Sequence, residues 1–161
     1  MSKHIITALV ENQPGVLARV IGLISGRGYN IETLNVGPTH DPTVSRMTMQ
    51  VPGDNRVLEQ VTRQLGKLVD VISVSDLTRA PCYSQECLLV KIAAKRAQHD
   101  VINDMVGRIG GRVLATLSDA MIVQLTGESK QITDFLDMLA PFKVLDISRS
   151  GVIVMPKEGR P

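Results

Sequence analysis

The stretch HIITALVENQPGVLARVIGLISGRGYNIETLNV (residues 4–36) sets out a strand, a turn, a helix and a second strand. In residues 4–10, Ile6, Ala8 and Val10 alternate with Ile5 and Leu9, so both faces of the strand carry apolar residues. After the turn the period changes. Val16, Leu17, Val20, Ile21 and Ile24 recur at helical spacing, which predicts a helix over residues 15–26. Gly26 and Gly28 end it, and residues 30–36 read as the next strand. Between strand and helix lies Asn12-Gln13-Pro14-Gly15, which puts a bare glycine at the mouth of the helix. Ser or Asp would cap that position better, so the turn raises the question of what else satisfies it.

Working outward, SRMTMQV (45–51) alternates Met47, Met49 and Val51 against Arg46, Thr48 and Gln50, a third strand. GDNRVLEQVTRQLGKL (53–68) places Val57, Leu58, Val61, Leu65 and Leu68 on one helical side, with Asp54 as its N-cap. VDVISVSDL (69–77) is a fourth strand. The order is βαββαβ. Right-handed crossovers turn it into a four-stranded antiparallel sheet with two helices on one face, in spatial order four, one, three, two. The pattern then recurs: ECLLVKIAA (86–94), a helix over 99–109, strands at 112–117 and 120–127, a helix over 129–141 and a last strand over 143–155. The fold class is therefore α+β, two ferredoxin-like βαββαβ domains at residues 1–78 and 86–161 with a linker at 79–85.

Composition excludes several functions. The chain of 161 residues carries a formal net charge of +2, too small for a nucleic-acid surface by itself. Aromatics are 2%, and Phe135 and Phe142 fall at or after a helix, so no sheet offers an RNA-stacking face. No apolar run approaches the length of a membrane span, and the N-terminus lacks the shape of a signal peptide, which leads to the expectation of a cytoplasmic protein. Cys82 and Cys87 read as ordinary reduced cysteines. His4, His40 and His99 have no metal-ligand spacing, and His40-Asp41 has no nucleophile placed beside it, so no catalytic residues and no metal site are assigned. The methionines on apolar faces are core residues.

The opening turn offers another chemistry. Pro14 lacks an N–H, and Gly15, Val16 and Leu17 present theirs at the positive end of a helix, where a carboxylate fits. Taken alone, a glycine turn with water on its N–H groups is the plainer reading. The second strand changes the balance, because it is an edge with unpaired backbone groups. Two copies pairing these edges antiparallel form one eight-stranded sheet. That pairing carries YNIE of one chain toward NQPGV of the other. A bound amino acid then finds N–H donors for its carboxylate, the amide oxygens of Asn12 or Asn30 for its ammonium, and Val16, Leu17 and Ile31 for an aliphatic side chain.

These residues carry a resemblance. ENQPGVLARVIGLISGRGYNIETLNV, SRMTMQV and QLGKLVDVISV closely resemble the regulatory small subunits of acetolactate synthase, whose N-terminal half is an ACT domain, an amino-acid-sensing module. ECLLVKI and SRSGVIVM look like the second domain of that family. The resemblance implies a non-catalytic chain that binds a larger catalytic subunit, raises its activity and confers feedback inhibition by branched-chain amino acids: valine foremost, or leucine or isoleucine. Thiamine diphosphate, Mg²⁺ and FAD are then expected in that partner and none of them in this chain. Asn12, Gly15 and Asn30 match positions the family associates with its effector site. A free-standing ACT sensor serving another enzyme or a transcriptional regulator is the alternative.

Overall fold

The computed structural model describes residues 3–157. The chain divides into two compact units, one running to Tyr83 and including the segment from Gly151 onward, the other comprising Ser84–Ser150.

In the first unit the elements are β1 (Lys3–Glu11), α1 (Val16–Ser25), β2 (Thr33–Pro38), β3 (Val44–Pro52), α2 (Asn55–Leu65) and β4 (Val71–Asp76). The sheet runs β2-β3-β1-β4 with antiparallel neighbours, the order expected from the βαββαβ pattern. Period-2 alternation makes the core. Ile6 and Ala8 lie opposite Met49 and Met47. Together with Val10 and Val51 they pack with Val16, Val20 and Ile24 of α1 and with Val61 and Leu65 of α2. Asp54 caps α2 as expected, its Oδ1 accepting the Val57 N–H at 3.0 Å. On the opposite side of the sheet Thr7 and Thr48 are also buried, and the Thr7 hydroxyl donates to the Met47 carbonyl at 2.9 Å.

The second unit repeats the plan with β5 (Cys82–Ala93), α3 (His99–Arg108), β6 (Arg112–Thr116), β7 (Ala120–Gly127), α4 (Ser129–Met138) and β8 (Val144–Arg149), ordered β6-β7-β5-β8. Leu88, Val90, Ile92, Met121, Val123 and Leu125 meet Ile102, Val106, Ile132 and Phe135 in its core. The buried Glu86 carboxylate accepts two bonds from the Arg149 guanidinium, at 2.7 and 3.2 Å.

Three boundaries differ from the sequence reading. The second strand begins at Thr33 instead of Asn30; the Asn30 side chain accepts the N–H of Ile31 at 3.2 Å, taking that donor out of a ladder. The expected linker is already strand from Cys82. The last strand is two, β8 and β9 (Ile153–Pro156), broken at Gly151 with φ 72°. A Cβ at Gly151 would stand 3.0 Å from the Thr33 side chain. Beyond that break Val152 and Val154 are buried, the Lys157 N–H donates to the Pro81 carbonyl at 2.9 Å, and the residues from Gly151 onward group with the first unit.

Asp54→Ala should cost about 1 kcal/mol by removing the cap of α2. Urea unfolding should show a lower midpoint with an unchanged slope. An unmoved midpoint would mean that the cap contributes nothing.

Candidate functional site

Helix α1 starts from Gly15 at φ 86° and ψ −13°, with no side-chain cap and no acidic residue in its first turn. The left-handed backbone explains the glycine: L side chains at that φ are strained by about 1–2 kcal/mol. The Val16 N–H makes a long turn bond of 3.4 Å to Gln13, and the Arg19 N–H bonds the Gly15 carbonyl at 3.0 Å. Farther along the same face, the Arg19 guanidinium lies over the glycine, its Nη1 3.7 Å from where a Cβ would stand. Its Nε pairs with Asp70 Oδ2 at 2.7 Å. A carboxylate at Gly15 therefore meets both the positive end of a helix and a guanidinium.

The turn before the helix is clamped. The Asn12 backbone N–H donates to Thr43 at 2.7 Å, and its Nδ2 donates to the Pro42 carbonyl at 2.9 Å. Asn12 Oδ1 makes no hydrogen bond among the described residues and remains an acceptor. The loop it grips is itself fixed: Asp41 Oδ1 accepts from the Thr43 hydroxyl at 2.7 Å and from its N–H at 2.9 Å. These two bonds hold the Asp41 carboxyl below the usual aspartate range, the hydroxyl being the larger cause.

The six residues singled out in the sequence fall in three places. Asn12, Gly15 and Leu17 are exposed around the helix N-terminus. Val16 is 2% exposed and belongs to the core, because the helical stripe that packs on the sheet begins with it. Asn30 and Ile31 line a separate groove of about 500 Å³ with Ile21, Ser25, Tyr29 and Leu34, past the other end of α1. The ten residues of that helix span about 15 Å, so one chain alone does not bring the two groups together. Sequence reasoning missed Arg19. Its spacing of four from Gly15 placed it above the helix mouth, but nothing local announced Asp70 as its partner.

Among the described residues no group of three or more His, Cys, Asp or Glu side chains is placed to hold a metal ion. Among the described residues no helix is long and apolar enough to cross a membrane.

Comparison with known proteins decides the family. Residues 6–73 match the family model of the AHAS small subunit-like ACT domain, and residues 85–158 match that of the small subunit of acetolactate synthase. The probable acetolactate synthase small subunit of Methanothermobacter thermautotrophicus is 42% identical, covering 98% of this chain and 94% of that protein. This chain belongs to the acetolactate synthase small-subunit family. The isozyme 3 small subunit of Escherichia coli is 43% identical over 94% of this chain and 93% of its own length. The crystal structure of the small subunit from Thermotoga maritima superposes with a TM-score of 0.88 at 27% identity, covering 99% of this chain and all of that one. The ACT assignment and the two-domain α+β architecture expected from the sequence stand on these matches.

Gly15→Ala should destabilise the first unit by about 1 kcal/mol through backbone strain alone, since a Cβ meets nothing closer than the tip of Arg19. Asp and Asn tolerate this backbone region better than Ala, so Gly15→Asn should cost less. Denaturant titration of the pair tests this; equal costs would remove backbone strain as the cause.

Proposed function

We propose that this chain is the regulatory subunit of an acetolactate synthase: it activates a thiamine-diphosphate-dependent catalytic subunit and confers feedback inhibition by branched-chain amino acids, valine foremost. It works in the cytoplasm and is not itself catalytic. Thiamine diphosphate, Mg²⁺ and FAD belong to the catalytic partner. The observation that carries the effector site is the uncapped start of α1, left-handed at Gly15 and overlaid by Arg19. In this reading the effector carboxylate binds there and its ammonium meets Asn12 Oδ1.

The site is completed by a second copy. β2 is an edge of its sheet, and Val36 on it is 40% exposed. Antiparallel pairing of two such edges about a two-fold axis brings Asn30 and Ile31 of one protomer toward the helix mouth of its partner. This joins the two groups that lie apart in one chain. Leu17 and Ile31 then enclose an aliphatic side chain.

Reconstitution tests the reading. The purified chain should form no acetolactate from pyruvate, should raise the turnover of the catalytic subunit, and should make that turnover valine-sensitive. Gly15→Asp should shift the valine titration by more than tenfold and spare activation. Two carboxylates about 4 Å apart repel by roughly 4 kcal/mol at an effective dielectric near 20. Even with half of that offset by Arg19, binding falls more than tenfold. Full valine sensitivity in a folded Gly15→Asp protein would move the effector site elsewhere.

Val36→Asp should shift sedimentation toward monomer, because its carboxylate confronts the same group across the two-fold edge. Valine binding should fall with it. A monomeric variant with normal valine affinity would refute the shared site.

A further inference from the structure

On the face of the first sheet that α1 and α2 leave uncovered, the side chain of Arg46 makes no hydrogen bond and no ion pair with any described residue, and its Nη1 is buried. A guanidinium nitrogen removed from water without a protein acceptor is costly, and it has a donor free to engage one. It lies in a groove of about 470 Å³ walled by Leu9, Val44 and Ile72, with Thr39, His40 and Asp41 on the rim. Ile72 is 56% exposed. Asp41 shares the groove but its carboxylate is engaged by Thr43 and is not paired with Arg46.

We propose that this groove docks an acidic side chain of the catalytic subunit, with the carboxylate on Arg46 and aliphatic neighbours against Leu9, Val44 and Ile72. The proposal rests on the regulatory reading above and adds the surface through which it acts. Charge and wall chemistry choose the occupant. A small free anion needs several converging donors, whereas this groove supplies one guanidinium beside an anionic aspartate. It holds a carboxylate that a larger apolar surface carries in. The loop on its rim, residues 39–43, is the one that Asn12 grips through Pro42 and Thr43. A change at the candidate effector turn thus reaches the groove through two hydrogen bonds.

The test measures association of the full chain with the catalytic subunit by sedimentation and calorimetry. Arg46→Glu should weaken the complex more than a hundredfold and Arg46→Gln more than tenfold, with wild-type circular dichroism and unchanged valine binding and dimerisation. Reversing the matching acidic residue of the catalytic subunit to Lys should restore binding to Arg46→Glu. Ile72→Asp, at an exposed wall position, should weaken the complex at least tenfold and decides the question if the Arg46 variants do not fold. Folded variants that bind within twofold of wild type overturn the groove and leave the regulatory reading intact. Loss of dimerisation, or of valine binding, overturns it in favour of a self-interface or an effector role. Failure of the wild-type chain itself to bind the catalytic subunit overturns the regulatory reading and the groove together.

Discussion

The ladder between β1 and β3 runs unbroken in register from Lys3 opposite Pro52 to Glu11 opposite Val44, and the rest of the first unit depends on it. Because strand side chains alternate, one register sets both faces. Ile6, Ala8, Met47 and Met49 are directed at the helices, while Thr7, Arg46 and Thr48 take the opposite side. A slip of one residue would bury Arg46 under α1 and expose both methionines. The small Ala8 across from Met47 leaves room for the longer side chain, so the pair fills the core without strain.

The same ladder places the chemistry. Its last rung is Glu11 opposite Val44, and immediately beyond it the two strands are tied by the bonds from Asn12 to Pro42 and Thr43. The helix mouth at Gly15 lies on one side of that clasp, and the loop bordering the Arg46 groove on the other. Neither feature contributes much to folding. The cap is missing from α1, the backbone of Gly15 excludes ordinary residues, and a guanidinium nitrogen is buried without an acceptor. Each is a local departure from what stability alone would select, and such departures gather where a protein binds something.

Most of the fold was legible because its signals are local and periodic. The strand alternation of SRMTMQV, the helical stripe from Val16 to Ile24 and the cap at Asp54 each specify an element from within a few residues. The misreadings have a different origin. Nothing in the apolar pattern of SRSGVIVM marks the left-handed backbone at Gly151, so two strands read as one. Asn30 looked like the start of a strand, yet its side chain takes the N–H of Ile31, and the first bond to β3 comes from the Glu32 N–H to the Gln50 carbonyl. Of the candidate site, Asn12 and Gly15 were readable from the turn chemistry. The side chain of Val16 is buried in the core; helical spacing fixes a stripe and leaves open which edge of the stripe is buried. Arg19 and Arg46 were invisible as site residues, since what matters about each is a partner, or the lack of one, far along the chain.

In the proposed dimer the position of β2 connects the sensor to its oligomeric state. An edge strand with an exposed Val36 carries an aggregation hazard unless something covers it. Self-pairing removes that hazard and, by the two-fold symmetry of the contact, must repeat every residue beside the axis on both sides. Asn30 and Ile31 precede β2, so in the proposed dimer each is delivered twice, toward two helix mouths. The proposed site, built from a helix start of one protomer and a strand start of the other, would report on an amino acid and on the contact between copies at once. An effector bridging the two protomers stabilises that contact by the free energy with which it binds, and it stabilises nothing in a separated chain. On this proposal, feedback control by a small ligand would need no large rearrangement within either domain, only a difference in how firmly two edges are held together.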